Sequence, residues 1–185
     1  VYVISLQSRP DRLAACTAQL RAPAKVVRAV DGHTLRMCAP SMTRGETGCF
    51  LSHATALQRI ADGPDAAALV LEDDCVLPAQ WPERVAAVMA SAPAGWGAIA
   101  LGCNFVPPDA APGLIELGAT DLYGAHAILY SQHGARAYLA AVRAHGFREP
   151  YDTWLSRCRA ATLLVANPPI AKVRSTRDSD TQRFR

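Results

Sequence analysis

Three carboxylates stand side by side at Glu72, Asp73 and Asp74, directly after the apolar run Leu69-Val70-Leu71. Like charges this close repel one another, and the end of a buried strand is a poor place to solvate them. A cation would resolve the conflict. Hard divalent ions take oxygen ligands, and magnesium typically uses one or two carboxylates while phosphates and water complete its shell. If the extended geometry persists through this stretch, Glu72 and Asp74 project to the same side, two residues apart. Such a pair suits a metal-diphosphate, whose charge the metal neutralises as the group departs. The competing interpretation is a solvated acidic turn in which Asp74 opens the next helix.

Two further stretches carry groups capable of chemistry. In "GETGCFLSH" (45–53) a helix would set Glu46, Cys49 and His53 on one face, with Ser52 beside them. A Cys/His pair four residues apart could bind zinc, although Thr43 and Glu46 also fit a capping box with His53 simply half-buried. In "VISLQSRPDRL" (3–13) Arg9 and Arg12 follow a first strand, where they could meet a nucleotide or its phosphates. They could equally be surface arginines. No glycine-rich loop accompanies them, so neither a Walker motif nor a dinucleotide fingerprint is present. His126 reads as a packed strand residue.

The elements that must position these groups alternate. Strands are expected at 1–6, 24–32, 66–74, 95–102, 114–118, 122–131 and 161–169. Helices are expected at 10–21, 43–64, 81–92 and 132–146, with a further one from Tyr151. Prolines and glycine mark 104–113 as a loop, and the tail 174–185 is polar. Alternation of this kind predicts one α/β domain over 1–185, with a mainly parallel mixed sheet flanked by helices. Ligands of such sheets sit at the carboxyl ends of strands, which is where the acidic triplet falls.

Composition narrows the classes. A chain of 185 residues, 50% hydrophobic and 19% charged, can bury a sizeable core. A net charge of +3 without a basic block argues against nucleic acid as partner. No apolar run is long enough to span a membrane. Val1 in place of an initiator Met is consistent with a trimmed leader, so a membrane-bound parent stays open. Six scattered cysteines, none in a CxxC pair, fit a reducing compartment better than a disulfide framework.

Taken in order, "VISLQSRPDRL", "AVDG" (29–32), "GETGCFLSH", "LVLEDD" (69–74), "GAHAILYS" (124–131) and "PYD" (150–152) resemble glycosyltransferase family 25. That group includes lipooligosaccharide galactosyltransferases and collagen galactosyltransferase domains. The likeness runs from Val3 to the "STRDSDT" tail, with Ser5 where the family usually has Asn. It implies a GT-A-like, Rossmann-type domain, a UDP-galactose or UDP-glucose donor, Mn²⁺ or Mg²⁺, and inversion at the anomeric carbon. Acceptors of the family type are glycans, lipid-linked glycans or proteins. The resemblance places the metal on Glu72 and Asp74, and donor contacts on Ser5, Leu6, Arg9, Arg12, Asp31, Glu46, Ser52, His53 and Asp73. Asp152 is the candidate base for the acceptor hydroxyl; a helix-opening aspartate is its plainer role. The expected location is cytoplasmic, with the inner face of a membrane as a peripheral site. Alternatives are an inactive nucleotide-sugar-binding module, a glycoside hydrolase working through two carboxylates, and a metal-dependent phosphotransferase.

Overall fold

The computed structural model describes residues 1–104, 110–117 and 120–174; half of the loop read at 104–113 and all but the first residue of the tail read at 174–185 lie outside them. The chain runs β1 (Tyr2–Ser5), α1 (Pro10–Thr17), β2 (Lys25–Arg28), a 3₁₀ turn (Gly32–Thr34), α2 (Arg44–Asp62), β3 (Ala67–Glu72) and β4 (Cys75–Val76). It continues through α3 (Trp81–Ser91), β5 (Trp96–Gly102), β6 (Gly113–Ile115), β7 (Ala127–Ser131), α4 (Gln132–His145), α5 (Tyr151–Arg157), β8 (Thr162–Asn167) and β9 (Lys172–Val173).

Seven strands form one sheet in the order β2-β1-β3-β7-β5-β8-β6. β1 is parallel to β2 and β3, and β5 is parallel to β8. β7 runs against both β3 and β5, and β6 runs against β8. Five strands therefore point one way and two are reversed, the mixed and mainly parallel α/β sheet expected from the alternation.

Side chains alternate across this sheet with period two. Ile4, Val70, Ala98, Ala100, Ile128 and Tyr130 join the core beneath α2, α4 and α5. Val3, Leu69, Leu71, Ile99, Leu101 and Leu129 join the opposite core with α1 and α3. Runs that read as uninterrupted apolar sequence are thus strands covered on both faces. An aromatic group locks the first core: Phe50 stacks on Phe147 at 3.9 Å, and the buried Tyr130 and Tyr151 hydroxyls meet at 2.7 Å.

Helix α2 begins as its sequence demands. Thr43 Oγ1 accepts the Glu46 N–H at 3.1 Å, and the Glu46 carboxylate accepts the Thr43 N–H at 2.7 Å. Gly48 lets its second turn approach the end of β2, because a Cβ there would lie 2.6 Å from the Val30 carbonyl oxygen.

The elements depart from expectation in several places, β2 ending at Arg28 rather than 32 among them. α1 ends at Thr17 rather than 21, where the backbone tightens into i→i−3 bonds from Gln19 and Leu20. β7 starts at Ala127, not 122, since Gly124 takes φ +93° and breaks the extension; His126 lies just before the strand, not in it. The two-residue ladder of β4 with β9 was too short to leave a sequence pattern.

Candidate functional site

A cavity of about 610 Å³ opens at the carboxyl ends of β1, β2 and β3. Its position follows from the topology. α1 connects β1 to β2 and packs on one core, whereas α2 connects β2 to β3 and packs on the other. The strand order reverses at β1, and crevices form where connections leave on opposite faces. One wall carries Glu72, Asp73 and Asp74 from the end of β3; the other carries Asp31 and Gly32 from the 3₁₀ turn with Arg44 and Gly45 from the start of α2.

The acidic triplet is divided among different partners. Glu72 faces α2, where His53 Nε2 lies 3.0 Å from Glu72 Oε1 and Cys49 Sγ lies 3.8 Å from the same oxygen. Cys49 and His53 share a helix face because they are four residues apart. Among the described residues these three form a triad able to hold a metal ion, their donor atoms all within 4.8 Å of one another. His53 is buried and its ring stacks on Tyr151 at 4.2 Å. Asp73 Oδ2 accepts a 2.6 Å bond from Ser5 Oγ. Arg12 reaches Asp73 Oδ1 at 2.6 Å and Asp74 Oδ2 at 2.9 Å. Asp74 Oδ1 is buried with no hydrogen-bond partner among the described residues.

These surroundings push the three acids apart. Burial works to raise Glu72, but the His53 hydrogen bond and the charges of His53, His126 and Arg12 hold it below the usual range. Burial raises Asp73 despite the bond from Ser5 and the charge of Arg12. Burial, then the charge of Glu72, pushes Asp74 up to about 7. Burial and the neighbouring carboxylates also push the Cys49 thiol well above its ordinary value. One acid is thus firmly ionised beside another that holds its proton near neutrality, and an entering cation would favour ionisation of both.

Of the residues proposed from sequence, Ser5, Leu6, Arg12, Asp31, Ser52, His53, Glu72, Asp73 and Asp74 line the cavity. Several do so while holding the wall itself. Asp31 Oδ1 accepts the His33 N–H at 2.9 Å, and Ser52 Oγ accepts the Val30 N–H at 2.8 Å while donating to Gly48 O. Arg9, Glu46 and Asp152 are not in the lining. Arg9 pairs with Asp11 at 3.3 Å, and Glu46 is engaged in its cap. Asp152 Oδ2 accepts the Gly124 N–H and its Oδ1 the Thr153 N–H, both at 2.8 Å, while its charge acts on Cys49 at the cavity edge.

Sequence reasoning passed over two features. The spacing of Cys49 to His53 pointed to a zinc-type pair, but it did not show that Glu72 of β3 completes the group. The Arg12 bridge to Asp73 and Asp74 had no signal, since it joins residues about sixty positions apart.

Comparison with known proteins gives a consistent neighbourhood. The sequence model of glycosyltransferase family 25 (LPS biosynthesis protein) matches residues 1–99, more than half of the chain. The probable inactive glycosyltransferase 25 family member 3 of Rattus norvegicus is 31% identical over 185 aligned residues, covering 84% of this chain and 32% of that protein. The inactive glycosyltransferase 25 family member 3 of Homo sapiens is 31% identical over 171, covering 76% and 28%. Procollagen galactosyltransferase 1-A of Xenopus laevis is 29% identical over 170, again covering 76% and 28%. The chain spans about a third, or less, of the length of these curated relatives.

Proposed function

The chain belongs to glycosyltransferase family 25, and from that premise we propose that it transfers a hexose, galactose in the first instance, from a UDP-sugar to a saccharide or other hydroxyl acceptor. The observation that carries this is the cavity at the β1 strand-order reversal, with an acidic strand end on one wall and the polar turn of Asp31 and Gly32 on the other. The sheet order supports a GT-A type scaffold, in which a nucleoside would lie over β1 and β2 and a diphosphate over the end of β3.

Glu72 and Asp74 are the residues that would hold Mn²⁺ or Mg²⁺, and the buried Asp74 Oδ1, which has no hydrogen-bond partner among the described residues, fits a hard cation. When bound, such an ion supplies neutralisation of the diphosphate leaving group. The protein's own groups do the rest. Ser5 and Arg12 fix Asp73 at the wall, Arg12 adds positive charge beside the phosphates, and His53 orients Glu72. Inverting transfer needs a base on the face opposite the leaving group. Asp152 is the proposed base: each of its oxygens has accepted one backbone N–H, which leaves lone pairs for an acceptor hydroxyl.

A second interpretation has a specific observation behind it. Arg12 already bridges Asp73 and Asp74, and two of the relatives are named as inactive. A module that binds a nucleotide-sugar without turnover would show the same wall. A screen of nucleotide release against a panel of UDP-sugars, with saccharide and hydroxylated-peptide acceptors and with Mn²⁺ present, separates the two. Release with one hexose donor supports transfer. UDP binding without release from any donor supports the inactive module.

A further inference from the structure

The Glu72 side of the wall carries a donor set that a hard ion does not explain. We propose that Cys49 Sγ, His53 Nε2 and Glu72 Oε1 form a three-ligand site for a borderline divalent ion of the zinc class, opening onto the cavity. The site shares Glu72 with the proposed hard-ion site, using its Oε1 and leaving Oε2 for the other ion, and it goes beyond the transferase function because none of its ligands requires a nucleotide.

The geometry is close to what such an ion needs. Zinc bonds of about 2.0 Å to nitrogen or oxygen and about 2.3 Å to sulfur, at tetrahedral angles, put the N–O edge near ~3.3 Å and the S–O edge near ~3.5 Å. The observed edges are 3.0 Å and 3.8 Å, so each needs a shift of only about 0.3 Å. The two helix donors sit four apart on α2, and the third is fixed at the end of β3. Stacking of His53 on Tyr151 holds the imidazole plane. All three residues line the cavity, which provides both an entry path and room for a fourth, exchangeable ligand. Three protein ligands with an open position is the arrangement that zinc adopts where it also meets water or substrate. Magnesium and manganese favour all-oxygen shells, whereas a thiolate and an imidazole select zinc, cobalt or cadmium. Cys49 would bind as the thiolate, its proton passing to solvent.

The test is an optical titration of the metal-free full chain with Co²⁺, without nucleotide. The expected result is a near-ultraviolet thiolate-to-cobalt absorption that saturates at one equivalent and is abolished by Zn²⁺. Cys49→Ser should lose the band, while Cys38→Ser, at an exposed cysteine, should keep it. Cys49→Asp should lose the band yet retain one tightly bound cobalt by mass spectrometry, which shows that loss of the band is not loss of fold. Glu72→Gln should weaken cobalt binding by about 10-fold or more. No band in the unaltered chain, or a band that survives in Cys49→Ser, overturns the site. A chain that binds UDP with Mn²⁺ but shows no cobalt band refutes the zinc-class site alone; one with the band but no UDP binding refutes the nucleotide function alone.

Discussion

Asp74 and Asp152 are two carboxylates whose surroundings give them different work. For Asp74, the folded value of about 7 lies above the ordinary 3.8, chiefly through burial and then the charge of Glu72. The folded chain therefore holds this proton more tightly than the unfolded chain does. Its contribution favours folding below the ordinary value and is lost as pH rises toward the folded one. Asp74→Asn stays neutral throughout, so its melting temperature should gain on the unaltered chain as pH goes from about 4 to about 7. A difference flat across that range, followed by thermal melts in the absence of divalent ions, would show Asp74 to be an ordinary carboxylate. For Asp152 the prediction is kinetic. A base accepts its proton only as the new bond forms, so Asp152→Asn should spare UDP affinity and lower kcat by about 10²–10⁴-fold. Asn keeps only one oxygen for the two N–H groups of Gly124 and Thr153, so a stability loss of about 1 kcal/mol should accompany it. Unchanged kcat with that stability loss would leave Asp152 a structural residue of the α5 start.

Helix α2 serves both the fold and the site, and two substitutions separate its duties. Glu46→Ala removes half of the capping box and should cost about 1 kcal/mol in urea denaturation, with UDP affinity unchanged because Glu46 does not line the cavity. Gly48→Ala gains helix propensity of about 1 kcal/mol. Its new methyl nevertheless meets backbone, the Val30 carbonyl, which cannot swing aside as a side chain could. A net loss on the order of 1–3 kcal/mol and weaker UDP binding should follow as α2 is pushed from the β2 end. A Gly48→Ala chain more stable than its parent would refute the close approach. The contrast shows what could be read from sequence. The capping box was legible because its bonds join residues three apart, and the strands were legible because apolar runs bounded by turns have few other fates. The β3 carboxyl end could be named as the binding edge for the same reason. Local pattern could not show where β7 begins, since one φ value at Gly124 decides it. Nor could it show that Glu72 turns to His53 while Asp74 turns to Arg12, because those pairings depend on how separate elements meet.

At the scale of the whole molecule, the sheet separates a structural end from a binding end. α2, α4 and α5 cover one face with the Phe50, Tyr138, Tyr151 and Trp154 aromatics, and the cavity lies among the loops after β1, β2 and β3. No helix among the described residues is long and apolar enough to cross a membrane. A ligand that binds the folded form at 100 times its dissociation constant stabilises it by about 2.7 kcal/mol, equivalent to about 100-fold slower exchange of amides that open with the site. UDP with Mn²⁺ should therefore slow hydrogen exchange in 4–8, 29–33, 43–53 and 72–74, the segments that build the cavity. Exchange in the second half of α4 and at the start of β8, neither of which lines the cavity, should change much less. Chelation should reverse the protection at 72–74 first, because there the nucleotide is held through the ion, and leave part of it at 29–33, where the contacts would be made by the turn itself. Protection centred on the groove of Gly95, His133 and Thr162 would place the nucleotide at the opposite end of the molecule. The strand-order reversal at β1 would then have no part in donor binding, and the acidic triplet would stand as a structural cluster neutralised by Arg12.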